Sequence, residues 1–197
     1  MDKLLEYFGV ISGLLYLYLE IKQKSSMWIV GLITSLIYVF VFFQAKFYAD
    51  MGLNIYYLGI SIYGLVLWRR KMGEDVKSTK EEDIEYTNIS FRQIVVLGIV
   101  FVVLYLGLAH ILQNLTDSPV PYGDALTTSL GIIATWMLAK RIIQHWIIWV
   151  FVNAFAVYLY IYRGLHPTAF LYLCYGVLAI VGFYNWKKNG TYIKNIS

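Results

Sequence analysis

Seven long apolar stretches, separated by short polar segments, constrain the fold of this chain more than any other feature. A helix needs roughly 20 mostly apolar residues to cross the hydrocarbon core of a bilayer. We therefore predict seven transmembrane helices, with expected bounds Leu4–Ile21, Met27–Gln44, Ala49–Trp68, Ile94–Gln113, Asp124–Lys140, Trp146–Tyr162 and Thr168–Trp186. The stretches show no period-two alternation, which argues against buried strands and against an outer-membrane barrel.

The composition supports a membrane protein and excludes several other classes. Of the 197 residues, 59% are hydrophobic and 14% are charged, whereas a soluble domain carries about 25% charged residues. The net charge of +4 comes from cations in short loops, so it indicates membrane orientation rather than a nucleic-acid partner. The single Cys174 excludes a disulfide within the chain and a multi-cysteine metal site. The first apolar stretch lacks a basic leader and a cleavage site, so we predict a retained helix.

The basic residues fall mainly on one side of the seven predicted spans. That side holds 13 of the 16 Lys and Arg residues, and the other side holds only Lys3, Lys46 and Arg163. The positive-inside rule makes the richer side cytoplasmic. We expect a multi-pass protein of the bacterial inner membrane, with the N-terminus outside and the C-terminus inside. The long polar segment after the third helix is expected to be a solvated cytoplasmic linker.

The sequence matches itself at a shift of 118 residues without a gap. The matched pairs include Lys22 with Lys140, Trp28 with Trp146, Tyr57 with Tyr175, Gly64 with Gly182 and Trp68 with Trp186. Apolar identities are common in membrane proteins, but two matched tryptophans and a matched Gly-x-x-x-Trp-basic-basic ending are not. We therefore predict that helices 1–3 recur as helices 5–7.

The repeat sets the expected domain organisation of this all-α membrane protein. Four spans separate equivalent points, so the two repeats are expected to be parallel, with a solute site near the midplane. Helix 4 has almost no polar side chain and is expected to be a lipid-facing connector. The expected divisions are 1–70 for the first repeat, 71–92 for a cytoplasmic loop, 93–114 for the linker helix, 119–188 for the second repeat and 189–197 for a cytoplasmic tail.

Polar and aromatic side chains in the middle of the spans are the candidates for a solute site. In helix 6, Trp146, Trp149 and Asn153 share one helical face, and an amide at that depth is costly unless something satisfies it. Helices 2, 3 and 7 carry comparable groups. The full set of candidate substrate-binding residues is Trp146, Trp149, Asn153, Asn54, Tyr57, Tyr172, Tyr175, Trp28, Ser35 and Tyr38.

Structural interpretations of these residues remain open. Tryptophan at the end of a span is typical of an interfacial aromatic belt, and we expect this role for Trp28, Trp68 and Trp186. Asn54 and Asn153 could equally be hydrogen-bonding contacts between helices.

The chemistry of the candidates suits a planar, cationic heteroaromatic solute. Such a ring can stack between tryptophans and gain about 1–2 kcal/mol of cation–π energy when desolvated. Acidic residues lie near the ends of the spans, which argues against a proton relay and favours uniport. We find no motif for an enzyme, a cofactor or a metal, so we expect a protein without catalytic activity.

The run Trp146-x-x-Trp149-x-x-x-Asn153 resembles a pattern of the PnuC family of vitamin transporters. The stretches around Asn54-x-x-Tyr57 and Tyr172-x-x-Tyr175 are similar to that family too, and the resemblance covers nearly the whole chain. It implies a SWEET-like fold of three plus one plus three helices, in which Trp146 and Trp149 sandwich the ring and Asn153 bonds polar groups.

The resemblance also implies a substrate and a mode of transport. Members of the family carry nicotinamide riboside by facilitated diffusion, a cytoplasmic kinase traps the product, and relatives carry thiamine or riboflavin. Asn54 stands where many members have Gln, so thiamine stays as the alternative substrate. SWEET-like folds often form trimers, which makes a homotrimer an expectation. A sensor or assembly factor that transports nothing is the competing class of protein.

Overall fold

The computed structural model describes the backbone of residues 2–45, 48–74, 84–116, 119–162, 164 and 166–193. Within these residues the chain forms seven α-helices and two short strands. In chain order they are α1 (Asp2–Ile21), α2 (Ser26–Ala45), α3 (Tyr48–Glu74), β1 (Glu85–Tyr86), α4 (Phe91–Leu115), α5 (Pro121–Ala139), α6 (His145–Tyr162), α7 (His166–Asn189) and β2 (Thr191–Tyr192).

The seven helices coincide with the seven predicted stretches to within a few residues. The largest difference is at the end of α3, which continues past Trp68 to Glu74, and α7 likewise continues past Trp186 to Asn189. Several basic residues used to predict the orientation lie outside the described residues, as does most of the predicted linker. These are Lys46, Lys77, Lys80, Arg163, Lys194 and the segment 75–83.

Five of the helices are long and apolar enough to cross a membrane, judged over the described residues. The five apolar segments are Ser26–Gln44, Met51–Arg69, Phe91–Leu115, His145–Tyr162 and Thr168–Asn189. The described side chains of α1 form a shorter apolar helix, Tyr7–Ile21. α5 contains Asp124, three threonines and a serine, which lower its hydropathy. The chain is therefore an all-helical, multi-pass membrane protein apart from its two short strands.

The chain divides into two compact units, residues 1–84 and 85–197. The first unit contains α1–α3, in which α2 packs against both of its neighbours. The second contains α4–α7, in which each helix packs against the next along the chain, and both strands. The expected linker helix thus belongs to the same compact unit as helices 5–7.

The same tight turn joins the first two helices of each expected repeat. It requires positive φ at Gln23 (52°) and at Arg141 (57°), which are 118 residues apart. In the first turn the amide of Gln23 donates to Glu20, and in the second the amide of Arg141 donates to Leu138. The left-handed region is uncommon for residues other than glycine, so its recurrence at matched positions shows that the repeat extends to the backbone conformation.

α4 is the most exposed helix of the second unit. Its N-terminus carries a capping box, in which Ser90 accepts a hydrogen bond from the Gln93 amide and the Gln93 side chain accepts one from Ser90. Ala109 is its one buried residue among those described, so most of the helix surface is exposed within the chain. On its inner side, Leu97 and Phe101 pack against a core cluster of Ile133, Met137 and Ile142.

α5 is the most enclosed helix, with nine buried residues between Ala125 and Ala139. Pro121 at its first position needs no hydrogen-bonded amide, so it favours helix initiation there. Because neighbouring helices enclose α5, its polar side chains do not have to lie in hydrocarbon. Ser129 and Thr135 instead donate hydrogen bonds to carbonyl groups four residues earlier.

The end of the predicted solvated linker is ordered against the second unit. β1 pairs in parallel with β2, and Thr87 pairs with the α5–α6 turn through hydrogen bonds with Arg141 and Ile143. The Gln144 side chain accepts from the Ile89 amide at 3.0 Å and donates to Asn88 at 2.9 Å. Residues 85–89, 141–144 and 191–193 together form what we call the strand clasp.

Candidate functional site

Each unit contains a tryptophan that lies directly on a glycine of a neighbouring helix. A Cβ atom added at Gly64 would lie 2.5 Å from Cζ2 of Trp28, and one added at Gly182 would lie 2.6 Å from Cζ2 of Trp146. Real Cβ atoms do not approach other atoms so closely, so only glycine admits the indole at these positions.

A second tryptophan meets the first edge-on in both units. The ring centroids of Trp28 and Trp68 are 5.5 Å apart at 87°, and those of Trp146 and Trp186 are 5.7 Å apart at 87°. Edge-to-face pairs of this kind contribute about 0.5–1.5 kcal/mol beyond their buried area. The sequence match at a shift of 118 residues is therefore also a match of side-chain geometry within each unit.

The interfacial role expected for Trp28, Trp68 and Trp186 is wrong. Their exposed fractions are 0%, 1% and 0%, and Trp146 is likewise 0% exposed. An aromatic belt requires rings that reach the membrane surface, whereas these rings are enclosed by neighbouring helices. Among the described residues, the indole nitrogens of Trp28 and Trp146 have no hydrogen-bond partner, which is costly for a buried donor.

His145 is a buried residue beside the tryptophan pair of the second unit. It is 0% exposed, and its ring lies 4.7 Å from Trp146 and 5.0 Å from Trp186 between centroids. Its Nδ1 is 2.7 Å from the carbonyl oxygen of Ile142, so Nδ1 carries a proton and donates to that oxygen. The matched position in the first unit is Met27, which is equally buried.

The predicted residues of α6 and α7 come together in the second unit. Asn153 is 6% exposed, and a Cβ added at Gly176 would be 3.5 Å from its Cβ, which places the amide at the α6–α7 contact. Trp149, one turn earlier, is half-buried. On α7, the rings of Tyr172 and Tyr175 meet at 5.8 Å and 70°.

Asn54 takes part in an interaction within the chain, so its role as a contact between helices stays possible. A buried amide can join two helices through a hydrogen bond, and Asn153 lies where α6 and α7 meet. Burial and position therefore suit both a helix contact and a solute-binding group at Asn153.

The predicted residues of the first unit lie on α2 and α3. Ser35 is 5% exposed, and Asn54 and Tyr57 are half-buried on α3. The Tyr38 ring stacks with Phe42 at 5.7 Å between centroids, and its hydroxyl approaches Gly9 of α1. Tyr38 is therefore placed by packing between α1 and α2.

Two polar residues of α1 were missed because they lie near the end of an apolar helix. Glu20 is 3% exposed, and Tyr16 is half-buried with its ring 6.5 Å from Trp28. The electrostatic surroundings of the Tyr16 hydroxyl include Glu20, Tyr57 and Tyr56. The spacing i, i+4 places Tyr16 and Glu20 on one face of α1, which is the signal that could have identified them.

Five helices that are long and apolar enough to cross a membrane define the class among the described residues: a multi-pass membrane protein. Comparison with known proteins gives the family. The model of the nicotinamide mononucleotide transporter family matches residues 3–188. The chain belongs to this family, which includes the PnuC transporters.

Individual relatives agree with this assignment. The nicotinamide riboside transporter PnuC of Escherichia coli is 23% identical, over 92% of this chain and 84% of the relative. PnuC of Haemophilus influenzae is 27% identical, over 95% of this chain and 80% of the relative. The riboflavin/roseoflavin transporter RibM of Streptomyces davaonensis is 25% identical, over 90% and 82%.

A solved structure shares the fold of the whole chain. The crystal structure of the vitamin B3 transporter PnuC superposes with a TM-score of 0.71 at 26% identity, covering 95% of this chain and 82% of the other. Since the family model and the relatives are all transporters, the chain is a membrane transporter and not an enzyme. The resemblance found in the sequence is confirmed.

Proposed function

We propose that this protein carries nicotinamide riboside across the bacterial inner membrane by facilitated diffusion. Relatives that align along most of the chain are named as nicotinamide riboside transporters. The observation that carries the proposal is Asn153, a buried amide on α6, one helical turn from Trp149.

The chemistry of the second unit suits a pyridinium riboside. The indole of Trp149 can stack on the cationic ring, which contributes about 1–2 kcal/mol when water is excluded. The amide of Asn153 has two donors and an acceptor, so it can bond a carboxamide or a ribose hydroxyl. The buried N–H of Trp146 is a further donor that a bound solute could satisfy.

The remaining candidates are proposed as solute contacts within their own units. Tyr172 and Tyr175 would contribute ring faces and hydroxyl groups from α7 of the second unit, and Asn54 and Tyr57 would contribute an amide and a phenol from α3 of the first. Ser35 would offer a small hydrogen-bonding group. We assign Trp28 and Tyr38 a supporting role, since both are held against glycines of neighbouring helices.

Uniport follows from where the acidic groups of the helices lie. Within the described side chains, Glu20 is one residue from the end of α1 and Asp124 lies in the first turn of α5. A proton relay would need carboxylates in mid-membrane. A cytoplasmic kinase would then make uptake unidirectional, because a phosphorylated riboside gains negative charge and no longer suits the site.

The proposed architecture has seven spans in two parallel repeats with one linker helix, as in SWEET-like folds. Its divisions are residues 1–70, 71–92, 93–114, 119–188 and 189–197. The charge distribution favours an external N-terminus and a cytoplasmic C-terminus. The recurrence of the Trp–Gly contact and of the turn at Gln23 and Arg141 supports two equivalent repeats. A homotrimer is the oligomer we propose.

Uptake by the purified protein in proteoliposomes tests the function. We expect radiolabelled nicotinamide riboside to equilibrate without an ion gradient, and unlabelled nicotinamide riboside to compete more strongly than thiamine, riboflavin or nicotinamide mononucleotide. Stronger competition by thiamine or riboflavin would assign the protein to that substrate instead. Transport of none of these compounds would leave a sensor or assembly factor as the function.

Substitution of the α6 residues tests the site. We expect Asn153→Ala and Trp149→Ala each to lower kcat/KM for nicotinamide riboside by about tenfold or more, as the loss of a buried hydrogen bond or of ring stacking implies. Ile147→Ala is the control, because Ile147 is 56% exposed on the same helix. Equal uptake by all three variants would remove Trp149 and Asn153 from the site.

A further inference from the structure

The shift of 118 residues that superposes the two Trp–Gly contacts also matches Trp149 of α6 with Gly31 of α2. Gly31 does not face open space. A Cβ added there would lie 2.9 Å from Ser61 Oγ and 3.0 Å from Tyr16 Cε2. In the first unit, therefore, a ring from α1 covers the position at which the second unit carries an indole on α6.

The residue matched to Tyr16 is also informative, because it is Ala134. Ala134 is 0% exposed, so a larger side chain at that position would have no room. The first unit thus has its large ring, Tyr16, on the first helix and its small residue, Gly31, on the second. The second unit has the reverse arrangement, with Ala134 on the first helix and Trp149 on the second. Close packing requires that a larger side chain at one position be compensated by a smaller one nearby. Each unit therefore has one large ring at this place, Tyr16 in the first unit and Trp149 in the second.

The neighbours of the two rings correspond as well. One turn beyond Gly31 and Trp149, the matched residues Ser35 and Asn153 are polar and buried, with exposed fractions of 5% and 6%. On the third helix of each triplet, Tyr57 matches Tyr175. The hydroxyl of Tyr16 has Glu20, Tyr57 and Tyr56 in its electrostatic surroundings. Buried polar groups gathered around one ring in a membrane-spanning unit mark a functional site rather than plain packing.

We propose that Tyr16 is a solute-contacting, specificity-determining residue of the carrier and the first repeat's counterpart of Trp149. This inference rests on the proposed function. A phenol ring can stack on a heteroaromatic ring as an indole does, and its hydroxyl can bond the hydroxyl groups of a riboside. The second repeat, with Trp149 and Ala134, lacks that hydroxyl, so Tyr16 supplies a recognition group that the first repeat alone provides.

Two conservative substitutions separate the contribution of the aromatic ring of Tyr16 from that of its side-chain volume. Tyr16→Phe keeps the ring, and Tyr16→Leu keeps much of the volume without it. In proteoliposomes we expect Tyr16→Phe to transport nicotinamide riboside within about threefold of the unmodified protein, and Tyr16→Leu to lose about tenfold or more in kcat/KM. We also expect Tyr16→Phe, which lacks the hydroxyl, to have a smaller ratio of kcat/KM for nicotinamide riboside to kcat/KM for thiamine or riboflavin.

An exchange variant tests the correspondence itself. Gly31→Trp alone should give an inactive protein, because the new side chain collides with Tyr16 and Ser61. Tyr16→Ala with Gly31→Trp transfers the arrangement of the second repeat to the first and should recover uptake above both single variants. Gly59→Trp is the matched control on α3, where an added Cβ has nothing within 4 Å.

The outcomes distinguish this inference from the proposed function. If Trp149→Ala loses uptake while Tyr16→Leu keeps the original KM and substrate preference, the inference is wrong and the function stands. If neither variant changes uptake, the inference is wrong and Trp149 is not part of the site, while the proposed function stands. If the unmodified protein transports none of the compounds, both the function and the inference are wrong. If neither Tyr16→Leu nor the exchange variant can be recovered folded, Tyr16 is a packing residue and the inference is also wrong.

Discussion

Glycine and tryptophan act as a pair in this protein, since each makes the position of the other possible. Gly64 and Gly182 lack the Cβ atom that would collide with Trp28 and Trp146. Without a driving force from water, helices in a bilayer associate through close packing at small residues. The pair therefore joins the second and third helices of each triplet at the end where the edge-to-face tryptophan is found.

At this scale we expect Gly182→Ala to destabilise the protein by about 1–3 kcal/mol, the usual effect of overpacking. The physical reason is that the indole of Trp146 must move away from the new Cβ. This movement disturbs the ring contacts of Trp146 with His145 and Trp186. The thermal unfolding midpoint in detergent is the measurement. Gly98→Ala is the control, because an added Cβ there meets nothing within 4 Å. Equal midpoints for the two variants would contradict the packing argument.

Among the elements, the strand clasp is the feature that distinguishes the second unit from a simple helical bundle. It connects the start of α4, the α5–α6 turn and the residues after α7 through backbone pairing. Arg141 adds an ion pair with Glu85, and Tyr86 contacts Tyr192 at 6.0 Å between ring centroids. These contacts connect the ends of all four helices of the second unit.

We expect Gln144→Ala to weaken the clasp most specifically, since its side chain bonds both Asn88 and the Ile89 amide. Removing it leaves a partly buried backbone donor without an acceptor, which costs about 1–3 kcal/mol. Limited proteolysis near residue 88 and the unfolding midpoint are the measurements. Asn189→Ala, which removes only an exposed side-chain contact with Asn185, is the control. Protease resistance that does not differ between the two would show that the clasp is not held by Gln144.

For the whole molecule, the proposed seven crossings include α5, whose polar residues keep it outside the set of apolar helices. Enclosure by neighbours explains how such a helix could cross. Seven crossings would place Tyr122 and Lys140, at opposite ends of α5, on opposite sides.

We expect a membrane-impermeant thiol reagent to label a Tyr122→Cys variant in intact cells and a Lys140→Cys variant only after permeabilisation. Both experiments use a Cys174→Ser background, and both positions are exposed. The external side for Tyr122 follows from the positive-inside rule. Labelling of both variants in intact cells would rule out a crossing by α5.

The number and bounds of the helices were determined by the sequence, because the length of an apolar stretch is set by the thickness of hydrocarbon it must match. The repeat was also determined, since Trp28, Gly64 and Trp68 recur with fixed spacing. Asn153 and Trp149 could be selected because a polar or amphipathic group is costly at mid-membrane depth unless it has a function.

Only the tertiary structure decided which apolar or aromatic residues face lipid and which face protein. An indole suits an interface, a lipid and a helix contact alike, so hydropathy could not show that Trp28, Trp68 and Trp186 are buried. The strand clasp depends on backbone groups far apart in the chain, for which the local sequence holds no signal. The exchange of Tyr16 and Ala134 against Gly31 and Trp149 became visible only when contacts across helices showed what fills the space beside a glycine.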